Sequence, residues 1–149
     1  MKGINASEMV DTFISTYAGM FGTFVKDAES SSTAASALAP DGDNTSVVRF
    51  EVVDDVISEF AKRKALIESK HRRLGPMGEM RPLDRQSDCE DSFGRLLNFD
   101  LLGQAGGFLF YAAYKDRALM FIQAYSTTGR GQISDSECEN IIECACKAF

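Results

Sequence analysis

Along the first stretch of the chain, apolar residues recur at helical spacing. Met9, Val10, Phe13, Ile14, Tyr17, Met20, Phe21, Phe24 and Val25 form one stripe, which predicts an amphipathic helix. Ser7 stands where an N-cap belongs. Gly19 and Gly22 weaken the second half, so the helix is expected to end near them. A stripe this rich in Met and aromatic side chains serves either as core or as a groove for an apolar peptide, because such side chains adapt to shape. Residues 29–46 are rich in Ser, Ala, Asp and Gly and predict a flexible insert without assigned structure.

From 47 to 74 two periods compete. As a helix, Val53, Val56, Ile57, Phe60 and Lys64 line one side. As strands, Ser46, Val48, Phe50 and Val52 face one way, and Val47, Arg49, Glu51 and Val53 the other. Asp54-Asp55 then gives one turn, Lys62-Arg63-Lys64 a second, and 65–70 a third strand. Val, Ile and Phe favour the sheet, whereas Ala, Glu and Lys favour the helix, so both readings stay open.

Gly75-Pro76, Gly78 and Pro82 make 75–88 a loop, with Ser87 or Asp88 placed to cap a following helix. Phe93, Leu96, Leu97, Leu101 and Leu102 predict that helix, ending near Gly103. Residues 108–114 and 118–125 predict two strands joined at Lys115-Asp116-Arg117. Both faces are apolar except at Gln123, so both need cover: helices on one side and a second subunit on the other. After a Gly-rich loop, Ser134 and Glu137 form a capping box. The last helix gathers Cys138, Ile141, Ile142, Ala145 and Phe149 on one face.

Composition narrows the function classes. A chain of 149 residues, 44% hydrophobic and 26% charged, suits one domain over 1–149. A net charge of -6 argues against a general nucleic-acid surface, which must neutralise phosphate. The charge is uneven: Lys62, Arg63, Lys64, Lys70, Arg72, Arg73, Arg81 and Arg85 crowd the middle. Such a run is either a solvated surface or a face for an acidic partner. The first residues carry no apolar signal segment, and no run is long enough to span a bilayer. A cytoplasmic protein without membrane insertion is expected. Cys89, Cys138, Cys144 and Cys146 contain no C-x-x-C pair, which suits reduced, partly buried thiols.

Catalytic signatures are missing from the sequence. His71 is the lone histidine and lies in a basic run, poorly placed to serve a nucleophile. There is no P-loop, no G-x-G-x-x-G after a strand and no H-E-x-x-H. Residues 126–137 mimic an EF-hand loop through Gly131, Ile133 and Glu137. The coordinating positions, however, hold Ser126, Thr128 and Arg130, where calcium needs carboxylate or amide oxygens. Neither enzyme activity nor any metal or cofactor is expected.

Several segments taken in order resemble the class I chaperones of type III secretion (the Tir-chaperone-like family). Leu96-Leu97-Asn98-Phe99-Asp100-Leu101-Leu102 is similar to the family helix in which leucines flank an asparagine. Gly106-Gly107-Phe108-Leu109-Phe110-Tyr111 resembles the glycine-led strand after it, and Ala118-Leu119-Met120-Phe121-Ile122 its partner. Residues 134–149 resemble the closing helix, and 50–76 are compatible with the family's three strands. The resemblance covers about two thirds of the chain and rests on an ordered pattern rather than one specific motif. It departs in the long Ser/Ala stretch and in the basic middle.

The resemblance implies an α+β fold of helix, three strands, helix, two strands and helix, with helices packed on a twisted antiparallel sheet. It implies a two-fold homodimer held by Leu96, Leu97, Leu101, Phe108, Phe110 and Ala112. It also implies that Phe13, Tyr17, Phe21, Val48, Phe50 and Ile57 hold the extended N-terminal segment of a secreted effector and keep it export-competent. Two alternative non-enzymatic readings stand beside it. One is an EF-hand-like helical adaptor without calcium; the other is a roadblock-like or immunity-type binding domain.

Overall fold

The computed structural model describes residues 4–42, 44–83, 89–127 and 129–149. Helix α1 spans Ala6–Thr16. Asn5, rather than Ser7, is its cap: the Asn5 side chain accepts from the Glu8 N–H at 3.2 Å. The chain leaves helical geometry at Tyr17, ahead of both glycines. Met9, Val10 and Phe13 turn inward. Tyr17, Phe21 and Phe24 then continue the apolar stripe as a buried irregular segment.

The stretch expected to be a flexible insert contains sheet structure. After the two-residue β1 (Val25–Lys26) come β2 (Ala34–Asp41) and β3 (Asn44–Val52). They pair as a hairpin that turns at Gly42, where φ is 64°. Ala35, Ala37 and Ala39 face inward on β2 and are fully buried in the same core as α1. A row of alanines lets a helix lie close to a sheet, yet it carries none of the bulk that marks a strand in sequence. The insert expectation is corrected on that ground.

Both readings of 47–74 hold, each for its own half. Period-two burial of Val48 and Phe50 belongs to β3. Helix α2 then runs over Val56–Leu74, with Asp55 accepting from the Ser58 N–H at 3.1 Å as its cap. The third strand expected at 65–70 is therefore helix. A 3₁₀ turn at Gly75–Met77 leads to the short strand β4 (Glu79–Pro82). The proposed caps Ser87 and Asp88 lie outside the described residues.

The largest correction concerns 93–102, which is strand β5 (Asp91–Leu101) and not a helix. Leu96 and Leu97 are both buried, on opposite faces of the sheet. A strand covered on both sides is apolar throughout, and a short run of that kind matches a helical stripe equally well. Strands β6 (Gln104–Lys115) and β7 (Ala118–Ser126) follow as expected, slightly longer.

Helix α3 (Asp135–Lys147) closes the described fold. Ser134 accepts from the Glu137 N–H at 3.2 Å, as its half of the capping box requires. Glu137 does not return the bond to Ser134; its carboxylate accepts from the Met20 N–H at 3.2 Å instead. The same residue thus stabilises the segment after α1.

The architecture is α+β. Among the described residues, three helices pack on one seven-stranded antiparallel sheet of order β1-β2-β3-β7-β6-β5-β4. Four strands, rather than two, separate α2 from α3. Helices α1 and α3 share a core with Val48, Phe50, Leu96, Leu109, Met120 and Ile122 on one face. On the other face α2 covers Phe110, Ala112, Leu119 and Phe121 with Phe60 and Ile67.

Candidate functional site beside helix α2

A lone helix has limited width, and this one has few apolar residues to offer. Phe60 and Ile67 are its buried residues, with Val56 and Leu74 packed at its ends. The rest of the contact is made by cations lying on aromatic rings. The Arg63 guanidinium carbon lies 5.2 Å from the Phe121 ring centre. The Lys64 and Lys70 amines lie 5.1 Å and 5.5 Å from Phe93 and Phe110. Arg95, from the sheet itself, stacks on Phe93 at 4.1 Å. Long basic side chains bury their stems against apolar surface while the charge meets the ring face.

Three of the eight basic residues, Arg63, Lys64 and Lys70, therefore help to cover the sheet. Arg63 also pairs with the Glu51 carboxylate, which accepts from Arg49 at 3.0 Å. Arg81 pairs with Asp135 on the opposite side of the sheet. Lys62, Arg72 and Arg73 remain exposed. Arg85 lies outside the described residues.

Toward the end of α2 the cover thins. Phe99, Phe108, Phe110 and Tyr125 form a continuous aromatic group, with Phe108 lying 5.4 Å from Phe99 and 5.5 Å from Tyr125. Phe110 is buried beneath Lys70, whereas Phe99, Phe108 and Tyr125 are half-buried. Burial pulls the Lys70 amine below its usual pKa, and neighbouring Arg73 adds to the shift. Burial likewise raises the Tyr125 phenol, opposed by the charge of Arg73. Both shifts mark a partly dry surface.

The β5–β6 hairpin ends next to this group. Its two turn residues, Leu102 and Gly103, have φ of 53° and 80°, the left-handed pair that a two-residue hairpin turn demands. Leucine is a poor choice there, because its Cβ crowds the backbone at positive φ. Leu102 nevertheless stands at 105% exposure, and neighbouring Leu101 at 43%. A shallow hollow of about 490 Å³ lies behind the tip, lined by Gly103, Gln104, Ala105, Thr127, Gly129 and Gly131. It brings no titratable side chains together.

Five of the six residues expected at a dimer contact lie on this α2 face: Leu97, Leu101, Phe108, Phe110 and Ala112. They come from two adjacent strands rather than from a helix and a strand. Leu96 points to the opposite core. Leu97, Phe110 and Ala112 are already buried within the protomer, so Leu101 and Phe108 are what a second molecule could touch.

The residues expected to hold an effector have scattered differently. Phe13, Phe21, Val48 and Phe50 are fully buried and Tyr17 nearly so, all in the core beneath α1 and α3. In this structure they pack the interior and form no open groove. Ile57, in the first turn of α2, is 67% exposed.

Phe99, Tyr125 and Leu102 were not singled out in sequence as surface residues. Leu102-Gly103 held the available signal, an apolar residue directly before a turn glycine.

His71 lies in the last turn of α2. Among the described residues no group of three His, Cys, Asp or Glu side chains converges on a metal-sized space. The EF-hand likeness at 126–137 falls on the end of β7, the following loop and the start of α3, and Thr128 lies outside the described residues. A calcium-binding helix pair has no counterpart around it, because the flanking element on one side is a strand. No helix among the described residues is long and apolar enough to cross a membrane.

Comparison with known proteins found no matching family model, no matching curated protein and no matching solved structure.

Proposed function

We propose that this protein is a non-catalytic binding module that self-associates through its α2 face and holds an extended segment of a secreted partner. On this reading it acts in the cytoplasm as the class I chaperones of type III secretion do. The observation that carries the reading is the incompletely covered aromatic group of Phe99, Phe108 and Tyr125, continued by the exposed pair Leu101 and Leu102. Apolar side chains that project from a rigid hairpin gain most when another surface removes them from water. A two-fold contact would pair each tip with the aromatic group of the other copy. The element order is helix, three strands, helix, four strands and helix, which differs from the two strands that the resemblance implies before the last helix. The reading therefore rests on the exposed apolar group and not on the order of elements.

The partner segment then needs a different surface from the buried stripe. Ile57 and the exposed cations Lys62, Arg72 and Arg73 offer apolar and basic contacts along α2. The edge strands β1 and β4 offer backbone pairing, the usual way an extended peptide joins a sheet.

The test is the solution mass at low micromolar concentration, by light scattering. A dimer is expected, which Phe108→Asp and Leu102→Asp convert to a folded monomer. A charge at Leu102, fully exposed in the protomer, is costly only in the dimer. Phe108→Asp also gives up ring contacts within the protomer, so Leu102→Asp is the cleaner of the two. Phe110→Asp would confuse the result, because Phe110 is buried in the protomer and its replacement also strikes the fold. A wild-type monomer would remove the dimer and shift the reading to a monomeric roadblock-like or immunity-type domain.

A further inference from the structure

Two of the four cysteines meet inside the fold. The Cys89 and Cys146 sulfurs lie 3.7 Å apart, although the residues are 57 positions apart in the chain. Cys89 leads into β5, and Cys146 lies in the last turn of α3. Both belong to the core shared by α1 and α3, at 5% and 6% exposure. Neighbouring bonds fix the Cys89 side of the contact. The Glu90 N–H donates to the Tyr114 carbonyl at 2.9 Å, and the Glu90 carboxylate accepts from the Asp116 N–H at 2.5 Å.

The other two cysteines are placed elsewhere. Cys144 points to the Thr16 carbonyl and Asn140. Cys138 lines a cleft with Arg81, Pro82 and Leu83. Residues two apart on a helix face different ways, so Cys144 cannot replace Cys146 opposite Cys89.

We infer that Cys89 and Cys146 form a specific disulfide-forming pair, which a small disulfide oxidant of the glutathione type closes into a covalent link between the start of β5 and the end of α3. Sulfurs already in contact need only side-chain rotation and a small approach to reach the bonding distance of about 2.05 Å. The chemistry is two successive exchanges. One cysteine loses its proton and attacks oxidised glutathione, forming a mixed disulfide and releasing one glutathione thiolate. The second cysteine, as thiolate, attacks the protein sulfur of that mixed disulfide and releases the other glutathione. Two protein thiols are oxidised, one glutathione disulfide is reduced to two thiols, and the two protons end on the glutathione thiolates. Access comes from opening of the last turn of α3, since helix ends open at lower cost than helix centres.

The link would enclose β5, β6, β7 and most of α3 in one loop. Closing a long loop lowers the entropy of the unfolded chain, so the oxidised protein should unfold at a temperature higher by roughly 10 °C. The experiment incubates the folded full chain with oxidised glutathione, quenches in acid, then unfolds and alkylates it. Before oxidation all four cysteines should alkylate; afterwards only Cys138 and Cys144 should. Peptide mapping should recover the Cys89–Cys146 cross-linked pair. The variant Cys138→Ser/Cys144→Ser keeps the pair and should oxidise identically, which protects the test if Cys89→Ser fails to fold. Four alkylated cysteines after oxidation, stable glutathione adducts as end products, or links through Cys138 or Cys144 would each overturn the inference. None of these outcomes depends on the oligomeric state.

Discussion

Asn98 shows how much one side chain can fix. Its amide nitrogen donates to the Ile133 carbonyl at 2.9 Å, and its oxygen accepts from the Ile133 N–H at 2.9 Å. Both backbone groups lead directly into α3, and Ile133 itself is buried. Gly107 opposite admits the amide: a Cβ there would stand 2.4 Å from the Asn98 oxygen. Asn98→Ala should therefore cost about 1–3 kcal/mol, because it strands a buried donor and acceptor; urea unfolding measures it. Alkaline titration offers a second residue-scale test. Burial pushes the Cys138 thiol and the Tyr17 phenol up to about 12, from ordinary values of 9.0 and 10.0. Each group resists ionising in the fold more than in the unfolded chain. Their contribution is full below the unfolded values and is lost as pH rises through about 12. Urea midpoints should fall above about pH 9, and Cys138→Ser with Tyr17→Phe should flatten that decline. An undiminished slope in the double variant would assign the decline to other groups.

Single elements take their identity from local capping and from what lies over them. Asp55 starts α2 where the strand pattern of β3 stops. Asp55→Ala should cost about 0.5–2 kcal/mol, with the loss appearing as faster amide exchange in the first turn of α2. Uniform exchange throughout the helix would mean that the cap contributes nothing local. The final helix and the β6–β7 hairpin were legible in sequence because a capping box and two dense apolar runs describe them without outside help. Strands β2 and β5 were not. Alanines gave β2 the look of a loop, and residues buried on opposite faces gave β5 the look of a helical stripe. In both cases the deciding partner is distant in sequence: α1 lies over the alanines, and both layers of helices enclose β5.

At the scale of the molecule, two helices among the described residues cover one face of the sheet and one covers the other. That imbalance leaves the α2 side closed in part by Arg63, Lys64 and Lys70 lying on aromatic rings. If the remaining aromatic group joins two copies, thermal stability should rise with protein concentration, since association favours the folded form by mass action. Phe108→Asp should remove that dependence while keeping the far-ultraviolet spectrum. A concentration-independent midpoint in the wild type would argue against the contact. By itself the sequence determined a helix near the start of the chain, the position of α3, the β6–β7 hairpin and the acidic balance, because period, caps and charge are local properties. The α+β class came only as what the resemblance implied, and the bounds of α1 were set by the structure. Only the tertiary structure decided that the Phe13 to Phe50 group is interior, that Leu96 and Leu97 part to opposite faces, and that Cys89 meets Cys146. Those outcomes depend on which surfaces cover one another, and burial is a property of pairs of elements that no single stretch of chain contains.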